Sequence, residues 1–262
     1  MSRTEVAPED LAGRTHVEHV MGMAVSIDVR AVPRCSPELA GAIAEVVAWL
    51  HRVDATFSTY IPDSQISRIA AGTLSPGDAD PDVIAILRLG DELRDVTGGY
   101  FDVRAGGVLD PSGVVKGWAV DRASELLAAR GFDHHCVNAG GDLRARGRPG
   151  PGRRWRLGIA HPHVSGALAA VVEIDGGAVA TSGTAERGPH VIDPHSGRAA
   201  LELASVTVIG ADLTRADAYA TAALAMGPAA PAWLSRLQDH EAYVIDAAGM
   251  VWSTPGFDRY RV

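Results

Sequence analysis

Hydrophobic and polar residues alternate in "HVMGMAVSIDVR", which begins at His19. Such alternation predicts a β-strand with one face in the core. From Ser36 to Tyr60 the spacing changes, and apolar residues recur every three or four positions. Ser36 followed by Pro37 is typical of a helix start, because serine caps the first turn and proline fits the first helical position. The pattern therefore predicts a strand followed by a long amphipathic helix.

The rest of the chain predicts more helices and a series of short strands. Helices are expected near 82–95 and over "KGWAVDRASELLAARG", which ends at Gly131, a typical C-cap residue. A further helix, "TRADAYATAALAMG", covers residues 214–227, and a short one lies around "PAWLSRLQ". Strands are expected near 135–138, 155–160, 169–174, 204–209, 242–246 and 250–253. Because helices and strands do not alternate regularly as βαβ units, the predicted class is α+β, with mixed sheets and flanking helices.

Composition changes this picture only by exclusion. The chain has 262 residues, of which 47% are hydrophobic, so we expect a single domain over 19–262 after a flexible segment, 1–18. The formal net charge of −8 argues against a nucleic-acid-binding protein, which would normally be basic. The first residues are polar, and no apolar run is long enough to span a membrane, so a cytoplasmic location is expected. The two cysteines are far apart, which gives no support to a zinc site or a disulfide framework.

Two glycine-containing segments could bind a ligand. In "LDPSGVVKGWAVD", Asp110 precedes a turn and Lys116 begins the predicted helix. Amides at a helix start favour phosphate, although Lys116 could equally be a surface residue. In "VNAGGDL", the Gly140-Gly141 pair allows close approach of a ligand to the backbone, and the alternative is a hairpin turn.

Two further segments carry groups that could act in catalysis. Thr181, Ser182 and Gly183 are expected to form a small polar turn, followed by His190 in "HVIDPHSG". A histidine there could be a general base near neutral pH, or a structural or solvated side chain. Asp217 and Thr221 lie four residues apart, on one face of a helix.

The Asp217–Thr221 pair offers a carboxylate and a hydroxyl oxygen, which are hard ligands suited to magnesium or calcium. Two ligands are too few for a site, so the others would come from backbone carbonyls, water or a phosphate. The alternative is an aspartate favoured by the helix dipole together with a core threonine.

The order of the segments resembles the ApbE family of flavin transferases, the FAD:protein FMN transferases. The matching segments run from about Met21 to Phe257 and are "MGM", "FSTYIPDSQISRI", "TGGYFDV", "DPSGVVKGWAVD", "VNAGGDL", "ATSG", "HVIDPHSG" and "ADAYATA". The resemblance implies an ApbE-like α+β fold and the binding of FAD with a divalent metal, Mg²⁺. It also implies transfer of the FMN half of FAD to a serine or threonine hydroxyl of an acceptor flavoprotein, with release of AMP.

The resemblance also implies roles for particular residues. The side chains of Asp217 and Thr221 and the carbonyl of Gly113 would bind magnesium, and His190 would deprotonate the acceptor hydroxyl. The positions matching FAD contacts are Met21, Tyr60, Tyr100, Phe101, Asp102, Asp110, Lys116 and Ile192. Two other functions stay open: a magnesium-dependent FAD pyrophosphatase that releases FMN and AMP, and an FAD-binding carrier without turnover.

Overall fold

The computed structural model describes residues 11–33, 36–185, 188 and 191–262. In these ranges, eight strands form one sheet in the order β1-β2-β3-β4-β7-β8-β9-β10, and β5 and β6 form a separate two-stranded sheet. The strands are β1 Leu11–Val20, β2 Met23–Pro33, β3 His135–Ala139, β4 Asp142–Arg146, β5 Trp155–Ala160, β6 Leu168–Ile174, β7 Gly177–Gly183, β8 Leu203–Gly210, β9 Glu241–Asp246 and β10 Val251–Ser253. The α-helices are α1 Pro37–Phe57, α2 Gln65–Ala70, α3 Pro81–Val96, α4 Ser112–Ala129, α5 Leu213–Met226 and α6 Ala230–Leu234.

Both faces of the large sheet are buried at its centre. Along β9, Ala242 and Val244 belong to the core shared with the helices, whereas Tyr243 and Ile245 belong to a second core. This alternation follows from the two-residue period of a strand. The second core also contains side chains of β5 and β6, so the small sheet covers the face opposite the helices.

Helix α5 lies between α4 and the strands β7 and β8. It begins at Leu213, where the side chain of Asp212 accepts a hydrogen bond from Arg215 N at 2.8 Å, and it ends at Gly227 with φ +56°. Twelve of its fourteen residues are buried. Its many alanines allow close packing on both sides, which places Asp217 in the interior.

The α+β class is confirmed, and each strand pairing described is antiparallel rather than mixed. The first strand begins at Leu11, so residues 11–18 are part of β1 rather than of a flexible segment; residues 1–10 lie outside the described ranges. The strand predicted from His19 is divided by a turn at Met21-Gly22, so that its first two residues end β1 and the residues from Met23 onward belong to β2, which pairs with β1.

Two segments of the central sheet differ from the prediction. Thr181, Ser182 and Gly183 do not form a turn but end β7, where they pair with β8. Strand β4 contains two arginines, which obscure the alternation of apolar and polar residues expected of a strand. Gly140 and Gly141 form the hairpin turn between β3 and β4, which is the alternative to a ligand-binding loop. Both glycines have positive φ angles, +60° and +95°, as that tight connection requires.

In the described part of the chain, no helix has the length and apolar character that crossing a membrane requires.

Candidate functional site

A partly buried lysine lies between two aspartates that come from different elements. Lys116, in the second turn of α4, contacts the carboxylate of Asp142 at the start of β4. Its Nζ atom is 3.4 Å from Oδ2 of Asp217 in α5. The two aspartate side chains are only 3% and 5% exposed. We call Lys116, Asp142 and Asp217 the charged cluster.

The two carboxylates of the charged cluster share one ammonium group. Burial lowers the pKa of the Lys116 ammonium, but Asp217 and Asp142 outweigh burial and raise that pKa above its ordinary value. Lys116 is therefore protonated at neutral pH, and its charge compensates the burial of the carboxylates beside it.

Strand β7 lies beside the charged cluster. Oδ1 of Asp142 accepts a hydrogen bond from Thr181 N at 2.7 Å, which holds this carboxylate against the strand. The hydroxyl of Ser182 is 3.0 Å from the hydroxyl of Thr221 in α5. Since Thr221 lies one helical turn after Asp217, the predicted Asp217–Thr221 pair shares one face of α5, next to β7.

Lys116 does not lie at the helix start that the sequence predicts. Helix α4 begins at Ser112, and Oδ1 of Asp110 accepts hydrogen bonds from the Ser112 amide at 2.9 Å and from its hydroxyl at 2.5 Å. Asp110 thus organises the start of α4, whereas Lys116 points at carboxylates. The first turn contains Gly113, where an added Cβ would lie 3.1 Å from the ring of Phe101, so this ring packs on the helix start.

The loop that carries Tyr100, Phe101 and Asp102 is attached to the end of α3. The hydroxyl of Thr97 accepts a hydrogen bond from Phe101 N at 3.0 Å and donates one to Leu93 O at 2.7 Å. Phe101 is buried, whereas Tyr100 and Asp102 are partly exposed. The structure thus brings this loop next to the start of α4, where Asp110 and Gly113 lie.

His195 joins the loop of Ile192 to the loop of Tyr100. Its Nε2 atom is 3.0 Å from Gly98 O, and its ring meets the Tyr100 ring edge-on at 4.5 Å. Because a carbonyl oxygen only accepts, Nε2 is the donor in this hydrogen bond. Ile192 is 45% exposed in this loop. The sequence does not single out His195, which is a second histidine of the segment that contains His190.

Two other predicted residues lie in turns of the chain. Met21 lies in the tight turn between β1 and β2 with φ +54°, and Tyr60 is 94% exposed after α1. Their roles stay predictions, as does that of Ile192. His190 lies outside the described residues, so its role as a base also stays a prediction.

Asp142 is the site residue that sequence reasoning missed. The signal was present in "NAGGDL", where an aspartate directly follows the Gly-Gly turn and opens a strand. A charged residue at a buried strand position needs a partner, and Lys116 is a partly buried helical residue that supplies it.

The donor set fits a magnesium ion. In residues 11–33, 36–185 and 191–262, no group of three histidine, cysteine, aspartate or glutamate side chains could hold a metal. The ligand set expected from the sequence does not require such a group of three side chains, because it combines the Asp217 carboxylate, the Thr221 hydroxyl and the Gly113 carbonyl. These are all oxygen donors, as magnesium prefers.

Comparisons with known proteins identify the family of this chain. The model of the ApbE family matches residues 21–110 and 104–244. The FAD:protein FMN transferase of Escherichia coli K12 is 34% identical over 167 residues, which are 59% of this chain and 48% of that protein. The chain thus spans about half the length of this curated relative.

Two solved structures extend the likeness to nearly the whole chain. The flavin transferase ApbE from Vibrio cholerae has the same fold, with a TM-score of 0.85 and 22% identity over 95% of this chain and 99% of that one. The Pseudomonas stutzeri flavinyl transferase ApbE, in its apo form, gives a TM-score of 0.81 and 27% identity, and the match covers 95% of this chain and 96% of that one. Because the family model matches most of this chain, the chain belongs to the ApbE family.

Proposed function

We propose that this protein is an FAD:protein FMN transferase, which moves the FMN half of FAD to a serine or threonine hydroxyl of an acceptor flavoprotein. The observation that carries the proposal is the charged cluster, in which Asp217 lies one helical turn before Thr221 on the face of α5 next to β7. Family membership and the names of the relatives support the same activity.

The proposed metal is magnesium, bound by Asp217, Thr221 and the carbonyl of Gly113. When bound, it neutralises charge on the pyrophosphate that is cleaved. Lys116 remains an ammonium group and holds the Asp217 carboxylate in place beside Asp142.

The proposed FAD site extends from the charged cluster to the loops around it. Phe101 packs on the start of α4 at Gly113, and Asp110 organises that start. Tyr60 is exposed, which leaves its ring free to pack on the flavin or the adenine. Met21, Tyr100, Asp102 and Ile192 are the other proposed contacts.

The reaction replaces the phosphoanhydride bond of FAD with a phosphoester bond to the acceptor. The acceptor hydroxyl oxygen forms a bond to the phosphorus of the FMN half, and the bond from that phosphorus to the bridging oxygen breaks. AMP leaves with the bridging oxygen, and the hydroxyl proton goes to the proposed base, His190. A hydroxyl group is a weak nucleophile, so a base within hydrogen-bond reach contributes to the rate.

The test is incubation of the protein with FAD, Mg²⁺ and a flavoprotein domain that carries the serine or threonine target. We expect the intact mass of the acceptor to rise by one phosphoester-linked FMN, with an equal amount of AMP released. AMP and free FMN without the mass increase would identify an FAD pyrophosphatase instead. FAD that is bound and recovered intact would identify a carrier, and either result contradicts the proposal.

A further inference from the structure

Asp121 joins helix α4 to the first turn of helix α5. Its carboxylate accepts hydrogen bonds from Leu213 N at 3.0 Å, from Thr214 N at 2.9 Å and from the Thr214 hydroxyl at 2.6 Å. The first amides of a helix have no partner within the helix, so a side chain of α4 completes the start of α5. These bonds fix where α5 begins relative to α4.

Gly117 brings the two helices into direct backbone contact at the same place. A Cβ added there would lie 2.7 Å from Leu213 O and 2.8 Å from Thr214 Cα, closer than such atoms can approach. Any side chain at position 117 would therefore push the start of α5 away from α4. Lys116, Gly117 and Asp121, all within the segment "KGWAVD", thus contribute to one contact between α4 and α5.

Asp212 provides a comparison at the same helix end. Its side chain accepts a hydrogen bond from Arg215 N at 2.8 Å, which is a cap within α5 itself. Asp121 reaches α5 from another helix, whereas Asp212 directly precedes α5. The capping of α5 and its attachment to α4 can therefore be separated by substitution.

The proposed magnesium ligands are distributed over the same two helices. Gly113 lies in the first turn of α4, and Asp217 and Thr221 lie in α5. One residue of slippage along a helix moves a side chain by about 1.5 Å, which is large compared with the tolerance of a magnesium site. We propose that Asp121 is a positioning residue, which holds α5 in the register that aligns Asp217 and Thr221 with α4. This inference rests on the proposed magnesium site.

The experiment measures Mg²⁺ affinity directly, by calorimetric titration of the full chain with Mg²⁺ alone. We expect Asp121→Ala to weaken Mg²⁺ binding by about ten-fold or more, as is typical when a residue supporting metal ligands is lost. Gly117→Ala should give a similar loss by a different route, because it separates the helices while Asp121 is kept. Asp212→Ala, the matched control, should bind Mg²⁺ as the unaltered protein does.

Circular dichroism and the melting temperature establish that each variant is folded, and Asp121→Asn serves if Asp121→Ala is not. Equal Mg²⁺ affinity in the unaltered protein and in both the Asp121 and Gly117 variants would overturn the positioning role alone. An equal loss in the Asp212→Ala variant would also overturn it, since capping would then explain the effect. Failure of the unaltered protein to bind Mg²⁺ would overturn the magnesium site of the proposed function and this inference with it.

Discussion

At the residue scale, the ammonium group of Lys116 is the shared partner of two buried carboxylates. Asp142 and Asp217 share its ammonium group, and both are almost completely buried. The Asp217–Thr221 face could be predicted from the sequence, because helical spacing is a local property. The partnership with Asp142 could not, because it depends on how β4 is placed beside α4 and α5 in the folded chain.

At this scale we predict that Lys116→Met destabilises the protein by about 3–5 kcal/mol, because two buried carboxylates lose their cation. Urea unfolding monitored by circular dichroism measures this free energy. The Lys116→Met/Asp142→Asn double variant should recover part of the loss, since one of the carboxylates is then removed.

Arg122→Met is the matched control on the same helix. Arg122 pairs with Glu125 at 2.7 Å on the protein surface, where such a pair contributes about 1 kcal/mol or less. Equal losses in the Lys116 and Arg122 variants would contradict the account of the charged cluster.

At the scale of elements, the helices were predictable and some central strands were not. Ser36 caps α1 as the sequence predicts, by accepting a hydrogen bond from Leu39 N at 3.1 Å. Strand β4 contains two arginines and opens with Asp142, so its polar composition resembles a turn. Its place in the sheet comes from pairing with β3, which directly precedes it, and with β7, which lies far along the chain. Such pairing leaves no local pattern in the sequence.

The loop after α3 gives a prediction at the element scale. Thr97→Val removes the acceptor for Phe101 N, which releases the loop of Tyr100, Phe101 and Asp102. We expect FAD to bind several-fold more weakly, which corresponds to about 1 kcal/mol for one hydrogen bond. Fluorescence titration with FAD measures this affinity.

Thr56→Val is the control for this loop. In α1, the Thr56 hydroxyl donates to Arg52 O, four residues back, as the Thr97 hydroxyl does to Leu93 O. Its substitution should leave FAD affinity unchanged. If both variants bind FAD as the unaltered protein does, the loop does not contribute to the FAD site.

At the scale of the whole molecule, the sheet has buried polar groups whose state depends on pH. His135 in β3 is fully buried, with Nδ1 at 2.6 Å from Phe132 O and Nε2 at 2.6 Å from the Ser124 hydroxyl. Nδ1 must donate to the carbonyl, and in the neutral ring Nε2 then accepts a hydrogen bond from the Ser124 hydroxyl. Burial lowers the pKa of His135 below its ordinary value of 6.5.

The sign of the resulting pH dependence follows from linkage. The folded protein binds a proton on His135 less readily than the unfolded chain does. The contribution of His135 to the free energy of unfolding is therefore complete above pH 6.5 and is lost as the pH falls below it. We expect the free energy of unfolding, measured by urea titration between about pH 7 and pH 5, to fall less steeply for His135→Leu than for the unaltered protein.

His163→Gln is the control for the pH experiment, because His163 is exposed between β5 and β6. It should keep the pH dependence of the unaltered protein. Identical pH dependence in all three proteins would contradict a neutral, buried His135.

The Asp217–Thr221 face, with Lys116 and Asp142 beside it, is the proposed magnesium site for transfer of FMN. Its most direct test is the rate of covalent FMN addition to the acceptor, measured by intact mass over a series of Mg²⁺ concentrations, for the unaltered protein and for Asp217→Asn. We predict Mg²⁺-dependent addition in the unaltered protein and a loss of at least about 100-fold in Asp217→Asn, since a charged metal ligand is replaced by a neutral one. The same rate and the same Mg²⁺ dependence in both proteins would contradict the account.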